Sequence, residues 1–328
     1  MNGLQHAVFA AERELHAMPA QTRSAQFRAF CQNFDDAAYL ERLRGVGIRW
    51  IDAADPEFPP RLRSIYDPPP GIFVRGDGEV QALRCTSVAI VGARSCSDYG
   101  SHVARTFARE LGRAGVVVVS GLARGVDGWA HRGALEGGGV TVAVLGCGID
   151  RVYPAAHTTL AASIREKGLI VSEYPPGVPP APWRFPARNR LVAGLTAATL
   201  VVEARERSGA LITADLALEE GREVLTVPGE ISSPLSKGTN DLLRLGARPA
   251  LDVADVFDVL GMERPSLHAA ETPDSPTVAA VLAAVDAGAG SADEVTRATG
   301  LTAGDVAAAL VELELRGTLS LTDGVIRR

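Results

Sequence analysis

The sequence predicts an α/β protein: an extended Rossmann-like, doubly wound, mostly parallel sheet, with a small helical N-terminal domain and a C-terminal winged helix. Three observations predict it. From about residue 86, short Val-rich runs alternate with helical segments. Continuous apolar runs of that kind suit strands covered on both faces, and alternation with helices implies right-handed βαβ units. Prolines cluster before residue 71 and again in 263–276, where connections are expected. The last fifty residues carry two helix caps and an Asp-Gly turn.

Taken in order, Leu40, Leu43 and Val46 have helical spacing before Gly47 stops the pattern. Pro56, Pro59, Pro60 and the run Pro68, Pro69, Pro70 then argue against regular structure. Residues 1–70 are therefore expected to be a helical domain, SAM-like or helix-hairpin-helix-like, ending in a stiff connection. Candidate strands are 88–91, 116–120, 141–145, 169–171, 200–203 and 223–227, which places the doubly wound domain over 71–262. Pro265, Ser266, Pro273, Ser275 and Pro276 give 263–276 a linker composition. Beyond it, 277–287 is an apolar helix and Ser291-Ala-Asp-Glu294 is a capping box for a second. Thr302-Ala-Gly-Asp305 caps a third helix, whose Val306, Leu310 and Leu313 share a face until Gly317. Segments 318–321 and 325–327 flank Asp323-Gly324, a hairpin turn signal. Three helices and a hairpin over 277–328 describe a winged helix.

Composition removes several function classes. The 328 residues are 46% hydrophobic and 22% charged, ordinary for a soluble globular chain. Lys167 and Lys237 are the only lysines, and each precedes a glycine, so a Gly-Lys-Ser/Thr phosphate loop is excluded, and with it a P-loop ATPase. Cys31, Cys85, Cys96 and Cys147 form no Cys-x-x-Cys pair, so no zinc clip is expected. Without a secretory pattern at the start, they are expected to be reduced thiols of a cytoplasmic protein. Apolar runs are too short to span a bilayer. The net charge of −6 argues against nucleic acid in aggregate, but ten of the thirty-nine acids lie beyond residue 260. Residues 71–260 balance at twenty basic and twenty acidic.

Four segments carry the candidate chemistry. In an open α/β sheet, ligands bind where strand C-termini meet helix N-termini. The first strand ends Val91-Gly-Ala-Arg-Ser-Cys-Ser-Asp-Tyr-Gly100. There Gly92 permits close approach, and Arg94 and Ser95 are either phosphate donors or solvated loop residues. Arginine at 94 breaks the Gly-x-Gly dinucleotide fingerprint, so no dinucleotide cofactor is expected. The second strand ends Ser120-Gly-Leu-Ala-Arg-Gly-Val-Asp-Gly128, bringing Gly121 and Arg124 to the same edge; Asp127 either caps a helix or meets ligand, and His131 is expected to be packed. From Tyr174 to Val202 there is no acidic residue, and Trp183, Arg184, Phe185, Arg188, Asn189 and Arg190 alternate forked cations with aromatics. These are parts of a single-strand groove, unless Trp183 and Phe185 are core residues and the arginines pair with acids. Finally, Ser208, Gly209 and Thr213 resemble a helix N-terminus set for an anion, with Lys237 and Asn240 as further donors, though a plain capped helix fits equally. There is no Gly-x-Ser-x-Gly elbow or His-Glu-x-x-His, and the six histidines are scattered. The site is expected to bind, with no catalytic residues, no metal and no cofactor.

Together these segments resemble the DprA (Smf) family of DNA-processing proteins. The likeness runs from about residue 52 to 250 and includes Asp55-Pro-Glu-Phe-Pro-Pro-Arg-Leu62, Val88-Ala-Ile-Val-Gly-Ala-Arg94, Gly146-Cys-Gly-Ile-Asp150, Phe185-Pro-Ala-Arg-Asn-Arg190 and Ser208-Gly-Ala-Leu-Ile-Thr213. The resemblance implies a homodimeric Rossmann domain that binds single-stranded DNA and loads RecA onto it in the presence of single-strand binding protein, during natural transformation. It puts the family's phosphate-binding arginine on Arg94 and its arginine-rich loop on Arg188, Asn189 and Arg190. Some relatives carry a DNA-contacting lysine after Val152-Tyr-Pro154, where this chain has Ala155-Ala-His157; Arg151 or His157 substitutes, or the contact is missing.

Two other classes compete. A nucleotide-hydrolysing enzyme would need a carboxylate near the sugar, with Asp127 or Glu173 the candidates. A duplex-reading regulator would use the winged helix, but residues 275–328 hold four arginines against seven acids, the wrong sign for phosphate.

Overall fold

The computed structural model describes residues 3–12, 20–263, 275–315, 318–322 and 325–327. It divides into two compact units, Met1–Glu263 and Arg264–Arg328. In the first, β3 (Ser87–Val91), β4 (Val117–Ser120), β5 (Thr141–Val144), β6 (Leu169–Ser172), β7 (Ala198–Val201) and β8 (Glu223–Thr226) run parallel, joined by a two-residue β9 (Arg248–Pro249). β1 (Ile48–Asp52) and β2 (Gly71–Arg75) add antiparallel to β6, giving the order β1-β2-β6-β5-β4-β3-β7-β8-β9.

The Val-rich runs are apolar throughout because both faces are covered. Ala89 and Val91 point into one core with Leu191, Val192 and Leu195 of α8 (Arg184–Leu195) and Ala210, Ala214 and Ala217 of α9 (Gly209–Glu219). Val88 and Ile90 point the other way, against Ala104, Phe107, Ala108 and Leu111 of α5 (Asp98–Arg113) and Ala130 and Ala134 of α6 (Val126–Glu136). The i, i+3, i+4, i+7 spacing on α5 puts that stripe on one face. α7 (Thr158–Lys167) shares a third cluster with α1 (Gly3–Glu12) and α3 (Asp36–Gly45); α2 (Ala20–Asn33) contributes Phe30 to it. α10 (Lys237–Arg244) and α11 (Val253–Leu260) close the unit.

The first 70 residues are not wholly helical. Residues 48–52 form β1, where Ile48 and Ile51 are buried and Arg49 is exposed. A three-residue interval of buried positions mimics helix period on a short strand. Nor do the prolines forbid all regular structure: Pro60 opens α4 (Pro60–Arg63), at a position where a missing N–H costs nothing.

The second unit packs α12 (Pro276–Asp286), α13 (Ala292–Thr299) and α14 (Ala303–Leu315) around Val281, Val295, Val306, Leu310 and Leu313. β10 (Ser320–Thr322) pairs antiparallel with β11 (Val325–Arg327). Ser291 Oγ accepts from Glu294 N, while Glu294 reaches back to Gly290 N rather than closing the box on Ser291. The stop at Gly317, the Asp323-Gly324 turn and most of the linker lie outside the described residues.

Candidate nucleic-acid interface

The strand order reverses beside β3. The chain leaves β3 through α5 toward β4 and leaves β7 through α9 toward β8, so the loops diverge and open a cleft at the C-terminal edge. This cleft holds about 400 Å³. Its walls are the loops after β3, β4 and β7, α8 from Phe185 to Val192 and the start of α9.

Glycines let these loops close up. A Cβ at Gly92 would lie 2.6 Å from Val126 Cγ2 and 2.9 Å from the Glu203 carbonyl oxygen, and one at Gly121 would overlap the Arg188 guanidinium. Arg188 is 5% exposed; its Nη1 donates to the carbonyls of Gly121 (2.6 Å) and Val144. Asp127, also buried, accepts from the amides of Gly121 (3.1 Å) and Ala123 (3.2 Å). Burial pushes the Asp127 carboxyl above its ordinary value, against the opposing pull of Arg188 and those amides. The floor is thus a rigid polar layer, its groups already engaged.

The rim is different. Arg94 and Ser95 are exposed, and the Arg94 guanidinium sits over the Phe185 ring, 5.6 Å from its centre. Tyr153, 46% exposed, lies with its ring 5.2 Å from that of Phe185. Across the cleft, Ser208 precedes α9; its Oγ is buried without a hydrogen-bond partner among the described residues and forms no side-chain cap. An 11-residue helix aiming its free amides at a cleft beside an unspent hydroxyl is suited to an anion.

The structure therefore brings Gly92, Arg94, Ser95, Gly121, Phe185, Arg188, Asn189 and Ser208 together in one cleft. Arg124 is exposed next to the lining residue Ala123, and Arg151 is exposed outside the cleft. His157 is buried with Nδ1 3.0 Å from the Leu122 carbonyl, so of the two substitutes considered for the missing lysine only Arg151 faces solvent. The Trp183–Arg190 segment is mostly helix rather than loop, which fans its arginines apart. Arg184 lies over the Trp183 ring and donates to the Pro179 carbonyl. Arg188 is a floor strut and not an open phosphate clamp, and Arg190 is engaged by Asp67 and Glu173. Lys237 lies outside the cleft, paired with Glu206 at 2.6 Å. Asp127 is neither free nor a helix N-cap, a position held by Gly125.

Sequence reasoning missed Arg205 and Tyr153. Arg205 was masked by its neighbours Glu203 and Glu206, but Glu203 turns inward onto the Ser97 hydroxyl and amide and Glu206 turns to Lys237. Arg205 thus lines the cleft with no ion pair among the described residues. Among those residues there is also no cluster of metal-ligating side chains and no helix long and apolar enough to cross a membrane.

The family model described as DNA recombination-mediator protein A matches residues 49–261, and that of the DprA winged helix domain matches 265–324. Protein Smf of Escherichia coli (strain K12) is 41% identical over 282 residues, covering 83% of this chain and 75% of the relative. DNA processing protein DprA of Bacillus subtilis (strain 168) is 38% identical over 224 residues, covering 68% and 74%. The X-ray structure of DNA processing protein A from Streptococcus pneumoniae superposes with a TM-score of 0.66 at 38% identity, over 74% of this chain and 83% of that one. The structure of the Helicobacter pylori protein, described for its single-stranded DNA binding mode, gives 0.59 at 31% identity, over 65% and 95%.

Proposed function

The chain belongs to the DNA recombination-mediator protein A (DprA, Smf) family, and from that premise we propose that it binds single-stranded DNA in the cleft between β3 and β7. The observation that carries the proposal is the rim: exposed Arg94 and Arg205 and the uncapped N-terminus of α9 line one cleft with Phe185, whose ring Arg94 and Tyr153 flank. Cations and a helix dipole take phosphates, and rings of this kind stack bases without regard to sequence. The Helicobacter pylori relative is described as a single-stranded DNA binder, which supports the same substrate here.

The proposed role is binding without catalysis, followed by loading of RecA onto the strand in the presence of single-strand binding protein during transformation, in the cytoplasm where those partners work. In support, the carboxylates nearest the cleft are committed: Asp127 to two amides and Glu203 to Ser97. Self-association through the sheet domain belongs to the same proposal; Leu245 and Leu251, 83% and 75% exposed, flank the last strand β9. The acidic winged helix is proposed to contact protein rather than duplex.

Titration of fluorescent oligo-dT tests the reading. Sub-micromolar binding with a negative salt slope is expected, with duplex of equal length bound distinctly less well. Equal affinity for duplex overturns it, and base release from nucleotides would overturn the non-catalytic role.

A further inference from the structure

Arg190 belongs to the arginine-rich segment yet turns its back on the cleft. Its Nε lies 3.1 Å from Asp67 Oδ2, and its Nη2 donates to Glu173 Oε2 at 2.5 Å. The arginine and Glu173 side chains are only 20% and 13% exposed, so that half of the pairing is largely withdrawn from solvent, while Asp67 meets the arginine from the solvent side at 73% exposure. The two acids come from opposite directions in sequence. Asp67 sits in the connection between α4 and β2, and Glu173 begins the segment from β6 to α8. That second segment also carries an aromatic platform: Tyr174 follows Glu173 directly, and the Arg184 guanidinium lies 5.2 Å from the Tyr174 ring centre and 4.7 Å from that of Trp183.

A second contact acts on the same side of α8. A Cβ at Gly194 would lie 2.9 Å from Ile65 Cγ2 and 3.0 Å from Leu62 Cδ1, so α8 rests directly on the α4 segment. Glycine at 194 permits that close approach. The cleft-facing residues of α8, Phe185, Arg188 and Asn189, are thus positioned from behind by an apolar seat at Gly194 and an ionic clasp at Arg190.

We propose that Arg190 is a positioning residue: it makes no contact with DNA but clasps Asp67 to Glu173, holding α8 and the Tyr174–Trp183–Arg184 platform in binding geometry. This rests on the proposed single-strand site. It assigns the proline-rich connection a part in that site, since Asp67 is one jaw of the clasp. Arginine suits the task because one planar fork reaches two carboxylates at once, which a lysine ammonium on a flexible stem does less well. The clasp pre-pays the ordering of platform side chains that binding would otherwise have to supply.

The test uses the full chain and compares Asp67→Asn, Glu173→Gln, Arg190→Lys and Arg190→Ala with Arg94→Ala. The first two remove a charge without changing volume, so they keep the question open should Arg190→Ala fold poorly. Affinity for oligo-dT is measured over a salt series, well below each variant's unfolding temperature. The steady-state anisotropy of Trp183 is read in a background where Trp50 and Trp129 are Phe. Disrupting the clasp is expected to weaken binding about three- to tenfold, the worth of ordering one or two side chains. Trp183 anisotropy should fall and the salt slope stay unchanged, with Arg190→Lys intermediate. A slope reduced by Arg190→Ala as much as by Arg94→Ala would make Arg190 a phosphate ligand and overturn the proposal. So would unchanged affinity and anisotropy in Asp67→Asn and Glu173→Gln. If the parent chain does not bind oligo-dT, the single-strand reading itself has failed; the anisotropy of Trp183 still reports whether the clasp orders the platform.

Discussion

The Arg94 guanidinium carbon lies 5.6 Å from the centre of the Phe185 ring. One residue follows β3 and the other opens α8, so the pair joins two walls of the cleft across 90 residues of chain. A cation and a ring held together offer a strand both things it needs, a phosphate partner and a stacking face.

Arg94→Ala removes the cation from an exposed position. Affinity for single strands of any sequence should fall, and the slope of log affinity against log salt should shrink by about 0.7, the share of one phosphate on a single strand. Stability should change by no more than about 0.5 kcal/mol, because the side chain is outside the core. A salt titration by fluorescence anisotropy, paired with a urea melt, checks both.

Phe185→Ala should cost about 1–3 kcal/mol of binding, the usual worth of one stacked base, while leaving the salt slope in place. Phe185→Trp should retain affinity, since it restores a π face. Loss of slope in Phe185→Ala would mean that the ring works only by placing Arg94.

Arg188→Met should act on folding first. It strips the carbonyls of Gly121 and Val144 of their donor and leaves Asp127 without its opposed charge. Breaking a buried charged network by removing one partner typically costs about 3–5 kcal/mol. Guanidinium denaturation should show it, in contrast to the near-silent Arg94→Ala.

That contrast marks how far the site was legible in the sequence. The parallel strands declared themselves because runs such as Val88 to Val91 have no polar face to hide, and loops at one sheet edge follow from that topology. Arg94 and Ser208 follow in turn. What one dimension conceals is direction. Arg188 and Arg190 are two residues apart, but on a helix that is a turn of about 200°, which sends one to the floor and the other to the back. Reading the segment as a loop left that divergence invisible. Arg205 was hidden for the opposite reason, since its adjacent acids spend their charge elsewhere. β1 escaped because its buried residues are spaced as on a helix, and its pairing partners on β2 lie 19 to 27 residues away.

His131 makes the stability of the α/β unit depend on acid. It is buried in α6, with Nδ1 2.7 Å from Thr141 Oγ1. The Thr141 hydroxyl already donates to the Val118 carbonyl at 2.8 Å, so its oxygen must accept from the histidine, and Nδ1 carries the proton. Nε2 is left bare, without a partner among the described residues. A second proton there would be buried uncompensated, with His157, Arg188 and Arg132 adding repulsion, and these effects press the pKa down from 6.5 to about 3. The unfolded chain binds that proton near pH 6.5 and the folded chain does not. The contribution is therefore fully present above pH 6.5 and drains away as pH falls toward 3. By pH 5 the loss amounts to about 2 kcal/mol. His131→Gln, which keeps a donor but does not titrate, should lose about 2 kcal/mol less than the parent chain between pH 7 and pH 5, measured by urea midpoints. Parallel pH profiles for the two chains would show that His131 takes up its proton as readily in the folded state as in the unfolded chain, and would overturn this account.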